Sequence, residues 1–534
     1  MLPPCYSPRT TFHSYSVPLY HIRWQNSKIK GVQNCQQHSR SSISVECGYK
    51  TKMMSKIFFY LLSFQLALST AFATTIKVNI DTTKPIFKVS ERFVSVTLDQ
   101  NNLVKKPAFG PLDFSLPRVK TLLKGLSPAW LRFGGTTTDS VIFSDIKKDI
   151  FDATGVVPYF QTITVAEFDN LAKACYDNGL RLFYEFNLQT RYGEQWDPTN
   201  ALYLLEFIAK QKYANNVDFE LGNEPNHYGE HPGWVSLNGS RIASDYAILK
   251  RLLVKLNFKF ASLVGPDMSP FGLFKDFLDS AANIITAATL HHYYFGGPGS
   301  NTSDYTNPKH FIEYEDEVQM AKKAISATSR PDLPLWNGET SDAYNNGTKH
   351  VSDRYVSGFL WLDKLGVSAR MEMGVVMRQT FFGGNYGLVN DSMLPNPDYW
   401  LSYLHKKLVG QLVLNVTLNA QLSKGPMSTV RGYAHCSNDI KGGVVFYALS
   451  VDKNPANFQF AASLGTDANV YWLTPEDGNL LSQTVLLNGE PLNLIGDSLP
   501  PLRPRQIDVS QGFVIPALTF GFIVFPNAHV KACE

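Results

Sequence analysis

Apolar and polar positions along this chain fall into two textures. From about residue 93 to 383, short β-rich runs alternate with stretches whose apolar residues recur every three to four positions. Eight such runs can be counted: Phe93–Asp99, Trp130–Thr136, Arg181–Asn187, Val217–Glu224, Leu263–Asp267, Ala287–Tyr294, Leu333–Thr340 and Gly374–Phe381. Between them, Tyr246, Leu249, Leu252, Leu253 and Leu256 mark one face of a helix that Ser244 and Asp245 can cap, and 352–365 behaves similarly. Eight strands alternating with helices predict an α/β fold, a (β/α)8 TIM barrel over residues 91–407. Beyond Gly410 the texture changes to short alternating strands such as Gly443–Leu449 and Ala468–Leu473, set off by Gly, Asn, Asp and Pro turns. An all-β, sandwich-like accessory domain is expected over 408–534, with 74–90 contributing an early strand to it. A chain of 534 residues, 44% of them hydrophobic, is long enough for both domains.

A TIM barrel builds its active site at the C-terminal ends of its strands, and two of those ends carry a glutamate. The fourth run closes in Leu221-Gly222-Asn223-Glu224-Pro225-Asn226 and the seventh in Trp336-Asn337-Gly338-Glu339-Thr340. Glycoside hydrolysis needs such a pair: one carboxyl protonates the departing oxygen and the other, ionised, attacks the anomeric carbon, at about 5–5.5 Å separation in the retaining mechanism. A lone glutamate in a loop more often caps a helix or forms an ion pair. Two at matching strand ends, one of them set between Asn223 and Pro225, favour chemistry. The pair His291-His292 invites a metal reading, but adjacent strand residues point to opposite faces and cannot both chelate one ion. With no HExxH, GK[ST] or GxSxG pattern in the chain, no metal or cofactor is expected.

The N-terminal stretch changes the charge and cysteine arithmetic. Met53-Met54-Ser55-Lys56, the apolar run Ile57–Leu68 and Ala71-Phe72-Ala73 read as a signal peptide over 53–73 with cleavage after Ala73. That apolar run is too short to span a bilayer, which takes about 20 residues. Residues 1–52 then read as an upstream extension of doubtful status. Residues 1–73 hold eight Lys/Arg and one acid, so the remainder has 41 basic and 45 acidic residues against 49 and 46 in the whole chain, a net charge near −4. Nothing global steers such a chain toward polyanions, and neither nucleic-acid binding nor membrane insertion is expected; the oligomeric state stays open. Three cysteines remain, of which Cys436 and Cys533 share the C-terminal domain and can pair, leaving Cys175 free. Sequons at Asn238, Asn301, Asn346, Asn390 and Asn415 fit a glycosylated chain bound for the extracellular space or the lysosome.

Several long strings, in order, carry a family resemblance: LSPAWLRFGGTTTD (126–139), FELGNEPN (219–226), LHHYYFGG (290–297), NGETSDAY (337–344), SDRYVSGFLWLDKLGVSAR (352–370), MRQTFFGGNYGLV (377–389) and PDYWLSYLHKKLVG (397–410). From about residue 76 onward the chain resembles the animal heparanases, retaining endo-β-glucuronidases of glycoside hydrolase family 79, and their hyaluronan-cleaving relatives. The resemblance implies Glu224 as acid/base, Glu339 as nucleophile and Asn223 as partner of the sugar 2-hydroxyl. It implies that Tyr293 and Arg132 steady the nucleophile, and that Asp99, Thr136, Tyr293, Gly384 and Tyr386 line the glucuronate subsite. On pattern alone, Tyr293 and Tyr386 also read as core aromatics.

Departures from the family bear on the polymer. Where heparanases that cleave sulfated chains place basic residues, this chain has Glu230, then Ser269-Pro270-Phe271-Gly272, then Phe295-Gly296-Gly297-Pro298. The family's Gly-Gly after the nucleophile loop is Asn345-Asn346. A glycosaminoglycan, heparan sulfate or hyaluronan, is the expected substrate; an exo-acting β-glucuronidase and a barrel retained only for binding are the rivals. The segment between Ser140 and Asn170 is far shorter than the vertebrate one whose linker masks the cleft, so activity without internal excision is expected. Activity appearing only after cleavage in this segment, followed by gel and assay, would refute it.

Overall fold

The computed structural model describes residues 73–101, 112–146, 161–419 and 428–534. The expected extension and, apart from Ala73, the signal peptide lie outside them. Eight parallel strands form the barrel: β1 Val94–Asp99, β2 Ala129–Gly134, β3 Leu180–Phe186, β4 Val217–Leu221, β5 Val264–Met268, β6 Ala287–His292, β7 Leu335–Thr340 and β8 Val376–Arg378. They hydrogen-bond in the order β4-β3-β2-β1-β8-β7-β6-β5, and a parallel bridge between Phe219 and Leu263 brings β4 to β5. Each coincides with one of the eight runs read from the sequence.

Strand alternation decides what each face does. Leu131 and Phe133 of β2, Leu182, Tyr184 and Phe186 of β3, and Val217, Phe219 and Leu221 of β4 join the apolar layer beneath the surrounding helices. The intervening residues point inward. Trp130, Phe183, Val264, Ala287, Val375 and Met377, with Trp336 packed on them, plug the N-terminal end of the barrel. The two indoles lie 5.1 Å apart, and Trp130 Nε1 donates to Asp218 Oδ2 at 2.7 Å. Above this plug the inward positions turn polar, with Arg132, Glu185 and Glu220.

A second, 12-stranded sheet is built mostly from the C-terminal residues and encloses its own core of Ile76, Val78, Phe446, Phe458, Val470, Trp472 and Phe525, among others. The strand Thr74–Asp81 belongs to it, antiparallel to Val409–Asn419 and parallel to Ala456–Phe460. Cys436 and Cys533 are disulfide-bonded across a separation of 97 residues, while Cys175 is buried and free. Asn238, Asn301, Asn346 and Asn415 are exposed and Asn390 is partly so; Asn238 and Asn301 also cap helices.

The helix Ser357–Arg370 lies between barrel and second sheet and is buried almost throughout. Gly358 and Gly366 let the sheet approach: a Cβ at Gly358 would stand 2.4 Å from Phe520, and one at Gly366 would stand 2.2 Å from Tyr433. Asp363 on this helix accepts from Arg431 Nε at 2.6 Å and from Tyr433 Oη at 2.5 Å. Gly366→Ala is therefore expected to lower stability by about 1–3 kcal/mol through overpacking, read as a drop in the urea midpoint with unchanged slope.

Candidate active site

Both glutamates sit at the top of the barrel for local reasons. β4 ends at Leu221, and Gly222 (φ 78°) then turns the chain where a Cβ would strike Leu188 and the Tyr228 hydroxyl. Glu224 takes a left-handed conformation (φ 46°, ψ 55°) ahead of Pro225, and its N–H donates to Asp267 O at 2.9 Å. Such backbone in a non-glycine residue costs about 1–3 kcal/mol and persists where surroundings over-determine it. Here Asp139 helps, accepting from Asn223 N at 2.9 Å, Leu188 N at 2.7 Å and the Tyr228 hydroxyl at 2.8 Å. Glu339 is the penultimate residue of β7.

Arg132 organises the layer beneath. It is 0% exposed. Its Nε donates to Glu220 Oε2 at 2.6 Å, Nη1 to Glu339 Oε2 at 2.7 Å, and Nη2 to Glu185 Oε2 at 2.8 Å and Asn223 Oδ1 at 3.0 Å. Gly134 must be glycine, since a Cβ there would overlap Glu185 Oε2. Burial works against the guanidinium, but Glu220, Glu185, Asp267 and Glu339 overcome it and hold the cation. Burial also lifts Glu220 to about 8 and Glu185 well above the carboxylate range, both against the pull of Arg132.

The two glutamates receive different partners. Glu339 Oε1 accepts from the Tyr293 hydroxyl at 2.6 Å and Oε2 from Arg132, so both oxygens are held by donors. Glu224 keeps 29% of its side chain exposed and meets His291 Nδ1 at 3.0 Å through Oε1. His291 Nε2 in turn faces Asp267 Oδ1 at 3.5 Å. Burial disfavours the imidazolium, yet Asp267 and Glu224 raise it to about 9. Burial alone would raise Glu224, but His291 outweighs it and holds the carboxyl below its ordinary value. An oxygen of Glu224 and one of Glu339 lie within 4.8 Å of each other. So close an approach of one oxygen from each is compatible with the roughly 5–5.5 Å carboxyl separation of the retaining mechanism.

The remaining residues expected at the site make the following contacts. Asn223 Nδ2 reaches Thr136 Oγ1 at 3.5 Å. Asp99 ends β1, and a Cβ at Gly135 would stand 2.7 Å from its Oδ2. Gly384 (φ 63°) backs onto the Tyr386 ring, where a Cβ would come within 2.8 Å, and Tyr386 accepts from Gln379 Nε2 at 3.5 Å. Asn345 and Asn346 are both left-handed, and Asn346 O accepts from Asn385 N at 2.7 Å, which joins their loop to that of Gly384 and Tyr386. On the rim, Glu230 pairs with His227 at 2.8 Å and Phe271 is exposed.

His291 and His292 do part company as strand neighbours should. His291 meets Glu224, while His292 packs among Tyr294 and Tyr314. Asp139, Glu185, Glu220 and Asp267 were not anticipated as site residues. The signal for Glu185 and Glu220 was present, because each is an acid set between two apolar residues near the C-terminal end of its strand. Asp139 lies in the 3-10 turn Thr136–Ser140, where acids are common, and Asp267 is the penultimate residue of β5, a strand end at which no partner could be read from the pattern.

The family model for glycosyl hydrolase family 79, N-terminal domain, matches residues 75–366. The chain belongs to this family. It is 36% identical over 496 residues to the hyaluronoglucuronidase of Hirudo nipponia, covering 86% of this chain and 99% of that one. With the heparanase of Bos taurus it shares 34% identity over 510 residues, 85% of this chain and 91% of that one. Among solved structures, a 4-O-α-L-rhamnosyl-β-D-glucuronidase from Fusarium oxysporum 12S superimposes with a TM-score of 0.61 at 16% identity, over 84% of this chain and 99% of that one, which supports the fold. The protein is a family 79 glycoside hydrolase acting on O-glycosyl bonds.

The imidazolium of His291 carries a pH signature. Its folded-state value lies above the ordinary 6.5, so its stabilising contribution is complete below pH 6.5 and is lost as pH rises through about 9. The stability gap between the protein and His291→Gln should therefore shrink by on the order of 3 kcal/mol across that window, measured by urea unfolding at stepped pH. A gap that stays constant with pH would show that His291 carries no charge in the folded state.

Proposed function

We propose that the protein is a retaining endo-β-D-glucuronidase that cleaves internal glucuronate linkages in heparan sulfate or a related glycosaminoglycan. The approach of the two glutamates to within 4.8 Å, one clamped by donors and one beside a charged imidazole, is the observation that carries this reading. Glu339 attacks the anomeric carbon as the bond to the leaving oxygen breaks, and Glu224 supplies the proton that oxygen needs. Hydrogen bonds from Tyr293 and Arg132 fix the attacking oxygens. Glu224 is held below its ordinary pKa in the free protein, so the proton rests on His291 Nδ1, 3.0 Å away, and passes to Glu224 when a bound sugar displaces water from the carboxyl. In the second step a water, deprotonated by Glu224, attacks the glycosyl–Glu339 ester; Glu339 leaves as the carboxylate, and the proton taken up by Glu224 returns to His291.

Asn223 and Thr136 suit the sugar hydroxyls, and Tyr386 with the backbone at Gly384 suits a carboxylate without a salt bridge. Hyaluronan is the second reading. The rim offers Glu230 and Phe271 where sulfate readers carry cations, and a hyaluronoglucuronidase stands at 36% identity. The signal peptide and the sequons fit action outside the cell or in the lysosome.

Glu339→Ala should lose about 10,000-fold or more in kcat, and Glu224→Ala about 100- to 10,000-fold, the latter recovering partly with azide. Unchanged depolymerisation by Glu339→Ala would end the assignment. Parallel digestion of heparan sulfate, hyaluronan and chondroitin, with product sizing and reducing-end analysis, decides polymer, linkage and endo against exo action.

A further inference from the structure

We infer that Lys364 is a positioning residue for the nucleophile, tying together the two strand ends that carry Glu339 and Tyr293. The inference rests on the reading of Glu339 as the attacking carboxylate. Lys364 lies in the middle of the buried helix Ser357–Arg370 and is 1% exposed. Its Nζ donates to Thr340 Oγ1 at 2.5 Å, Ser341 O at 2.7 Å and His292 O at 3.3 Å. Thr340 and Ser341 directly follow Glu339, and His292 directly precedes Tyr293. One side chain therefore grips both sides of the Tyr293–Glu339 hydrogen bond from beneath.

The grip falls where the backbone ladder stops. β6 and β7 pair last at His292 and Thr340, after a register shift between Leu290 and His291. Past that point Tyr294 N still donates to Asp342 O at 2.9 Å. Between those two rungs, Thr340 Oγ1 donates to His292 O, and Lys364 adds its three bonds. Thr340 directs its hydrogen to His292, so all three partners of Nζ can accept; burial and the nearby Arg378 push Lys364 well below its usual range, while Asp342, Glu317 and Asp363 pull it back up. Its fourth contact is the ring of Tyr294, 4.3 Å from centroid to Nζ. Ser341 is pinned again from the far side, its hydroxyl accepting from Arg378 Nη1 at 2.6 Å while Arg378 Nη2 binds Asp398 at 2.7 Å.

The helix itself is anchored one residue away. Asp363 takes the Arg431 and Tyr433 hydrogen bonds from the 12-stranded sheet. The second sheet is thus connected, through Asp363 and Lys364, to the backbone on either side of the attacking oxygen. A buried lysine is expensive to desolvate, and a methionine of similar length would fill the space without that cost. What methionine cannot do is hold two carbonyls and a hydroxyl at fixed places, and misplacing a reacting group by about 1 Å costs about 100-fold in rate.

The full-length secreted protein and its Lys364→Met variant are titrated with 2,4-dinitrophenyl 2-deoxy-2-fluoro-β-D-glucuronide, which traps the glycosyl-enzyme, and the labelled peptide is mapped by mass spectrometry. The parent should be labelled at Glu339. The variant should reach the same stoichiometry, with a maximal inactivation rate per titrated site lower by about 100-fold, and with KI and KM within about twofold of the parent. A lower melting temperature with an unchanged rate per titrated site would overturn the inference and leave Lys364 a purely structural residue. Should Lys364→Met fail to fold, Thr340→Val, which removes one acceptor and its bond to His292, decides by the same ratio, with about a tenfold loss expected and an unchanged rate overturning it. Labelling of the parent at a residue other than Glu339 would refute the nucleophile assignment instead.

Discussion

A guanidinium with no access to water lies at the centre of this barrel, and the polar layer around it follows from the need to keep that charge satisfied. Burying a single cation costs several kcal/mol unless it is fully hydrogen-bonded and paired. Arg132 meets that condition with Glu220 on Nε, Glu339 on Nη1, and Glu185 and Asn223 together on Nη2. A lysine could not replace it, because one point charge cannot address four partners in fixed directions. β3 and β4 supply Glu185 and Glu220 from their inward faces, the turn after β4 supplies Asn223, and β7 supplies Glu339 near its end. The position of Glu339 is therefore set by the interaction that also satisfies the buried cation.

With more carboxyls than cations in the layer, protonation becomes unequal. Glu185 and Glu220, buried without water, are driven upward, whereas Glu339 shares the cation and the Tyr293 hydroxyl. Across the cleft, Asp267 and Glu224 share His291. Glu339 and Glu224 are thus served by two different cations, one permanent and one titratable. Environment, more than residue type, divides the work between them.

The apolar plug of Trp130, Phe183 and Trp336 and the second sheet serve the same end from below and behind. The plug closes the barrel under the polar layer, and the sheet backs the helix that carries Asp363 and Lys364. Gly358 and Gly366 are the concession that makes this backing possible, since side chains there would hold the sheet away from the helix.

Much of this was legible in the residues themselves. Alternation of period 2 between helical stretches located all eight strands, and strand ends located Glu224 and Glu339, because a barrel's geometry follows from local patterning. The resemblance of long strings such as FELGNEPN and NGETSDAY pointed to Asn223, Thr136 and Tyr293, and in the fold Asn223 bonds Arg132 and Thr136 while Tyr293 bonds Glu339. Cys436 and Cys533 needed only counting. The sequence could not say which acids would meet Arg132, since Glu185, Glu220 and Glu339 are as far as 154 positions apart in the chain and become neighbours only when the sheet closes. Nor could it say that His291 would carry charge, because a histidine's proton depends on which carboxylates fold against it. Local pattern determined the strands, the barrel and the candidate glutamates; closure of the barrel and exclusion of water decided the partners, and with them the protonation on which the chemistry rests.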